Sequence, residues 1–136
     1  MSIERERTKI LVVEDEADFA AYVETALTAQ GYAVRVARDG EEGLALVRRE
    51  KPDLVTLDIQ MPRKSGILFY RQMKADPALR DVPVVVITGL RVGYEADLFI
   101  RSFLEAEKVP PPQAYLDKPV ARQQLLETVG RFVRAA

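Results

Sequence analysis

The sequence predicts an α/β domain with a doubly wound parallel sheet, five strands in the order 2-1-3-4-5 and five helices. Three observations lead there. Short apolar, β-branched runs alternate with segments of helical period along the chain. The runs are hydrophobic almost throughout, as strands covered on both faces are, instead of alternating with polar residues. Four of the five end in a residue that can do chemistry: Glu14 and Asp15, Asp58, Thr88, and Lys118. Parallel strands bring all their carboxyl ends to one edge, where open α/β sheets bind ligands.

Residues 1–8 read as a polar tail and 9–136 as one domain. Ile10-Leu11-Val12-Val13 is the first strand, running into Glu14-Asp15-Glu16. Phe19, Tyr22, Val23, Ala26 and Leu27 recur at helical spacing, which predicts a helix over 18–30 stopped by Gly31. Residues 32–36 alternate as a strand. Asp39 is placed to cap a helix reaching position 50, with Leu44 and Val47 inward and Pro52 beyond its end. Asp53-Leu54-Val55-Thr56-Leu57 is the central strand, and Asp58 opens the turn Ile59-Gln60-Met61-Pro62-Arg63-Lys64-Ser65-Gly66.

A helix is predicted over 66–75, with Leu68, Phe69 and Met73 apolar. Val84-Val85-Val86-Ile87 is a buried strand ending in Thr88-Gly89, and a helix over 95–107 turns Leu98, Phe99, Phe103 and Leu104 inward. Val109-Pro110-Pro111-Pro112 is extended or irregular, because proline breaks helix and ladder alike. Ala114-Tyr115-Leu116 is the last strand, before Asp117-Lys118-Pro119. A final helix over 121–133 buries Leu125, Leu126, Val129 and Phe132.

The composition narrows the chemistry. With 136 residues, 48% hydrophobic and 30% charged, the chain can build a core without staples. Lys+Arg of 20 against Asp+Glu of 21 gives a net charge of -1, which offers nothing to nucleic acid or an anionic membrane. No apolar run reaches the roughly 20 residues that cross a bilayer, and no signal peptide opens the chain, so a cytoplasmic protein is expected. There is no cysteine and no histidine. Thiol chemistry, Ser-His-Asp sites and imidazole ligands are therefore excluded.

In the predicted strand order, the acids after the first strand and Thr88 each lie one strand spacing, about 4.8 Å, from Asp58. Lys118 lies two spacings away, within reach of its flexible stem. Carboxylates this close repel: two unit charges about 4 Å apart cost about 4 kcal/mol at an effective dielectric of 20. One lysine does not offset three acids, and the deficit calls for a hard divalent cation such as Mg²⁺. A carboxylate, a hydroxyl, a lysine and Mg²⁺ around one point suit phosphoryl transfer, which is mostly positioning and charge neutralisation. No phosphate-binding glycine loop is present, which disfavours ATP as a direct donor.

These motifs resemble the receiver domain of two-component response regulators over essentially the whole chain, a flavodoxin-like fold. The resemblance rests on Leu11-Val12-Val13-Glu14-Asp15-Glu16, Leu57-Asp58-Ile59-Gln60-Met61-Pro62 with Gly66, Ile87-Thr88-Gly89, and Asp117-Lys118-Pro119. It implies that Asp58 is the phosphoacceptor and that Mg²⁺ is held by Asp15, Asp58 and the main-chain carbonyl of Gln60, with Glu14 acting through water. It implies that Lys118 pairs with the phosphoryl group, that Thr88 turns toward it, and that Tyr115 is an aromatic switch. Lys118-Pro119 is expected to be cis.

The implied donor is a phosphohistidine on a histidine kinase or phosphotransfer protein, and the output is regulation of an unidentified downstream protein. Such a domain catalyses only its own phosphorylation and dephosphorylation. The chain closes just after its last helix, so either a stand-alone receiver or a piece of a longer protein is expected. It departs from the family in the long stretch between Thr88 and Lys118 and in the three prolines that replace a glycine turn. Residues 90–113 are accordingly expected to be the regulated partner-binding element.

Three other functions compete. Aspartate-nucleophile phosphatases share the strand-end Asp, hydroxyl and lysine, but carry a second acid two residues after the nucleophile, where this chain has Gln60. A flavodoxin-like cofactor binder would face an acidic crevice that repels phosphate. A phosphorylation-independent pseudo-receiver would not need the complete set of site residues.

Overall fold

The computed structural model describes residues 7–59, 66–89 and 108–134. The strands are β1 (Lys9–Val13), β2 (Ala33–Ala37), β3 (Leu54–Leu57), β4 (Val84–Thr88) and β5 (Ala114–Asp117). They form one sheet in the order β2-β1-β3-β4-β5, and every pairing is parallel. The helices among the described residues are α1 (Ala17–Ala29), α2 (Gly40–Arg49), α3 (Gly66–Ala75) and α4 (Arg122–Arg134). The helix expected over 95–107 lies outside the described residues.

Strand alternation sorts the core into two layers. Leu11, Val13, Val55, Leu57, Val84 and Val86 face α2 and α3, where Leu44, Val47, Phe69, Tyr70 and Met73 meet them. Ile10, Val12, Leu54, Val85, Ile87 and Leu116 face α1 and α4, packing on Val23, Ala26, Leu27, Leu125 and Val129. Neighbours in sequence thus serve opposite layers, which is why β1, β3 and β4 are apolar at nearly every position.

The boundaries follow local chemistry. Asp39 caps α2, its side chain accepting from the Glu42 N–H at 2.9 Å. Gly31 ends the turn after α1 with φ of 101°, a left-handed conformation that costs glycine little. On α3 the buried Lys74 donates from Nζ to the carbonyls of Arg80 (2.9 Å) and Val82 (2.7 Å), tying down the connection into β4. Among the described residues, two large apolar side chains point outward. Tyr22 is 38% exposed, with its hydroxyl donating to the Val120 carbonyl, and Leu68 is 37% exposed.

Candidate functional site

The backbone ladder carries the acids into one crevice. Val13 and Leu57 are register partners, and the Asp58 N–H continues the ladder to the Val13 carbonyl at 3.0 Å. On the other side of β1, the Glu14 N–H donates to the Ala37 carbonyl at 2.9 Å. Glu14 and Asp58 are therefore fixed side by side by the main chain before their side chains interact.

The start of α3 presses against the same loop. The Gly66 N–H donates to the Ile59 carbonyl at 3.2 Å, and a methyl group on Gly66 would overlap the Asp58 carbonyl oxygen and the Ile59 Cα. Only glycine permits that approach.

Thr88 closes β4 and Asp117 stands opposite it on β5. The Lys118 N–H donates to the Thr88 carbonyl at 3.0 Å, which starts its side chain at the right edge. The stem runs past Gly89, where an added methyl would lie 3.6 Å from its Cδ. Its Nζ ends 3.0 Å from Glu14 Oε2, 3.2 Å from Glu16 Oε1 and 3.6 Å from Asp58 Oδ2. Lys118-Pro119 is cis. Asp15 is the exposed member of the group, while Glu14 and Asp58 are buried at 3% and 4% exposure.

One oxygen from each of Glu14, Asp15 and Asp58 lies within 4.8 Å of the others. Burial pushes the Glu14 carboxyl up to about 7; the Lys118 hydrogen bond opposes this, and the Asp58 charge adds to it. Burial works against the Lys118 ammonium too, but the hydrogen bond to Glu14 and the charges of Asp58 and Glu14 outweigh it and hold its pKa above the ordinary value. The crevice therefore has more negative charge than its one lysine neutralises. Hard oxygen donors in short of positive charge fit Mg²⁺.

The structure thus brings together Glu14, Asp15, Asp58 and Lys118, and places the buried Thr88 at the end of the adjoining strand. Tyr115 lies opposite Val86, so Thr88 and Tyr115 are diagonal neighbours on one face of the β4–β5 pair. Gln60 and residues 90–107, most of the segment expected to bind a partner, lie outside the described residues.

Strand-end reasoning misses two residues at the site. Glu16 shares the Lys118 ammonium, and the ring of Phe19 lies 4.6 Å from that same nitrogen. The acidic run 14–16 hints at the first. Phe19 carries no such signal, because its spacing reads as core.

Comparison with known proteins gives a consistent result. The family model described as the response regulator receiver domain matches residues 10–130. A probable transcriptional regulator, ycf27, of Porphyra purpurea is 41% identical over 88 residues, 65% of this chain and 35% of that protein. The chain thus spans about a third of that relative's length. The polar-differentiation response regulator DivK of Brucella anthropi is 28% identical over 124 residues, covering 91% of this chain and 94% of its own. The receiver domain of the sensor histidine kinase PA1611 from Pseudomonas aeruginosa PAO1 superposes with a TM-score of 0.79 at 25% identity, covering 94% of this chain and 98% of that one. That structure holds a magnesium ion coordinated in its active-site cleft.

Proposed function

The chain belongs to the response regulator receiver domains, and from there we propose that it is a signalling switch that accepts a phosphoryl group on Asp58. The observation that carries this is the contact of one half-buried lysine, Lys118, with two buried acids, Glu14 and Asp58, at the carboxyl edge of a parallel sheet.

Asp58 supplies the nucleophile. One carboxylate oxygen attacks the phosphorus of a phosphohistidine, the P–N bond breaks, and the imidazole leaves with the electron pair and takes up a proton. The β3 ladder and Gly66 hold the Asp58 backbone, so the attacking oxygen is positioned before the donor arrives. Lys118 neutralises charge on the transferred group, exchanging its contacts with Glu14 and Glu16 for phosphoryl oxygens.

Asp15 and Asp58, with Glu14 beside them, would hold Mg²⁺, joined by the Gln60 carbonyl. The cation would supply Lewis-acid neutralisation of the phosphoryl oxygens. Thr88, buried at the end of β4, would meet the phosphoryl group with its hydroxyl and pass the change to Tyr115 across the diagonal. The partners proposed are a histidine kinase or phosphotransfer protein upstream and a protein target downstream. No helix among the described residues is long and apolar enough to cross a membrane.

Acetyl phosphate serves as a kinase-free donor for the test. Lys118→Ala is expected to slow phosphorylation at least roughly 100-fold, the loss of one preorganised charge contact. Thr88→Ala is expected to be phosphorylated at near wild-type yield but to lose most of the conformational response. Equal loss of phosphorylation in both variants contradicts this division of labour.

A further inference from the structure

Tyr70 is buried at 2% exposure on α3, and its hydroxyl donates to the Pro110 carbonyl at 2.5 Å, across 40 residues of sequence. Positions 110–112 are prolines, which have no N–H and cannot tie themselves to the fold by donation. The strap before β5 is instead held from outside at its two ends. Pro110 accepts from Tyr70. Gln113 donates its N–H to the Val84 carbonyl (2.9 Å) and accepts the Val84 N–H on its side chain (2.8 Å). Val109 and Tyr115 pack against the same core layer that contains Tyr70. Burial pushes the Tyr70 phenol up, with the neighbouring Tyr115 adding to the shift, so it stays a donor at neutral pH.

The other end of α3 is equally constrained. Gly66, its first residue, abuts the backbone of Asp58 and Ile59, and Tyr70 follows one helical turn later on a rigid element. A continuous set of contacts thus runs from the Asp58 backbone through Gly66 and α3 to Tyr70, Pro110 and the entry of β5.

We infer that Tyr70 is a positioning residue: its bond to Pro110 makes α3 a second link between the phosphorylation loop and residues 108–115, beside the one through Thr88 and Tyr115. This rests on the proposed function of Asp58. A shift of the Asp58 loop on phosphorylation moves the start of α3, because Gly66 has no slack, and the latch carries that movement to the proline strap.

The test is amide hydrogen exchange on the full chain with Mg²⁺, with and without beryllium fluoride as the phosphoryl stand-in. In the wild type, exchange changes both around Asp58 and at residues 113–115. Tyr70→Phe keeps the acetyl phosphate yield and the change around Asp58. It speeds basal exchange at 113–115 roughly fivefold, as loss of one hydrogen bond does, and reduces the response there. Thr88→Ala retains part of the response at 113–115, and adding Tyr70→Phe removes what remains. Pro110→Ala, which keeps the carbonyl, responds as the wild type does. A wild-type response at 113–115 in Tyr70→Phe, or none left in Thr88→Ala alone, overturns the latch. No response around Asp58 in the wild type refutes the phosphorylation site instead.

Discussion

Glu14 carries the clearest electrostatic mark in the crevice. Its folded-state pKa of about 7 stands above the reference value of 4.5, so the fold prefers its protonated form. Between these values the folded state binds more protons than the unfolded one, and stability falls as pH rises. Glu14's contribution to metal-free stability is therefore full below about 4.5 and lost as pH passes about 7. Added Mg²⁺ should offset that loss and release protons near neutral pH. Urea midpoints in EDTA at pH 5 and pH 8 should show the decline in wild type and a smaller one in Glu14→Gln. Asp15→Asn should weaken Mg²⁺ binding by roughly tenfold or more, on the scale of lost coordination support. An unchanged calorimetric Mg²⁺ isotherm would remove Asp15 from the ligand set.

Among the elements, α3 joins the site to the core by its first residue. Gly66→Ala forces a methyl group into the Asp58 backbone, and such overpacking costs about 1–3 kcal/mol. Denaturant titration should show that loss, together with slower phosphorylation from a displaced Asp58; unchanged values for both would mean the loop has room to yield.

The strands were legible in the sequence because burial on both faces leaves little choice of residue in β1, β3 and β4. Helix faces were less so. Tyr22 and Leu68 fit an apolar periodicity yet point outward: the Tyr22 hydroxyl finds the Val120 carbonyl, and Leu68 lies on the face of α3 opposite its buried residues. For Tyr22, periodicity counts an apolar residue and does not register a hydroxyl that seeks a distant carbonyl. The Tyr70–Pro110 bond was hidden for the same reason, because nothing local relates positions 40 residues apart.

For the molecule as a whole, the parallel order β2-β1-β3-β4-β5 makes the site readable from strand ends alone. Once order is known, Asp58 must lie between the acids after β1 and Thr88 after β4. The reach of Lys118 followed from its length, whereas its sharing among Glu14, Glu16 and the Phe19 ring depended on side-chain packing that no spacing rule contains.

Asp58 as acceptor is tested most directly by mapping the modified residue. The chain is incubated with acetyl phosphate and Mg²⁺, the acyl phosphate is trapped by borohydride reduction, and peptides are sequenced by mass spectrometry. Reduction at position 58 alone, absent without Mg²⁺ and absent in Asp58→Asn, is the expected result. Full-yield phosphorylation of Asp58→Asn, or reduction mapped to another carboxylate in the wild type, would contradict it.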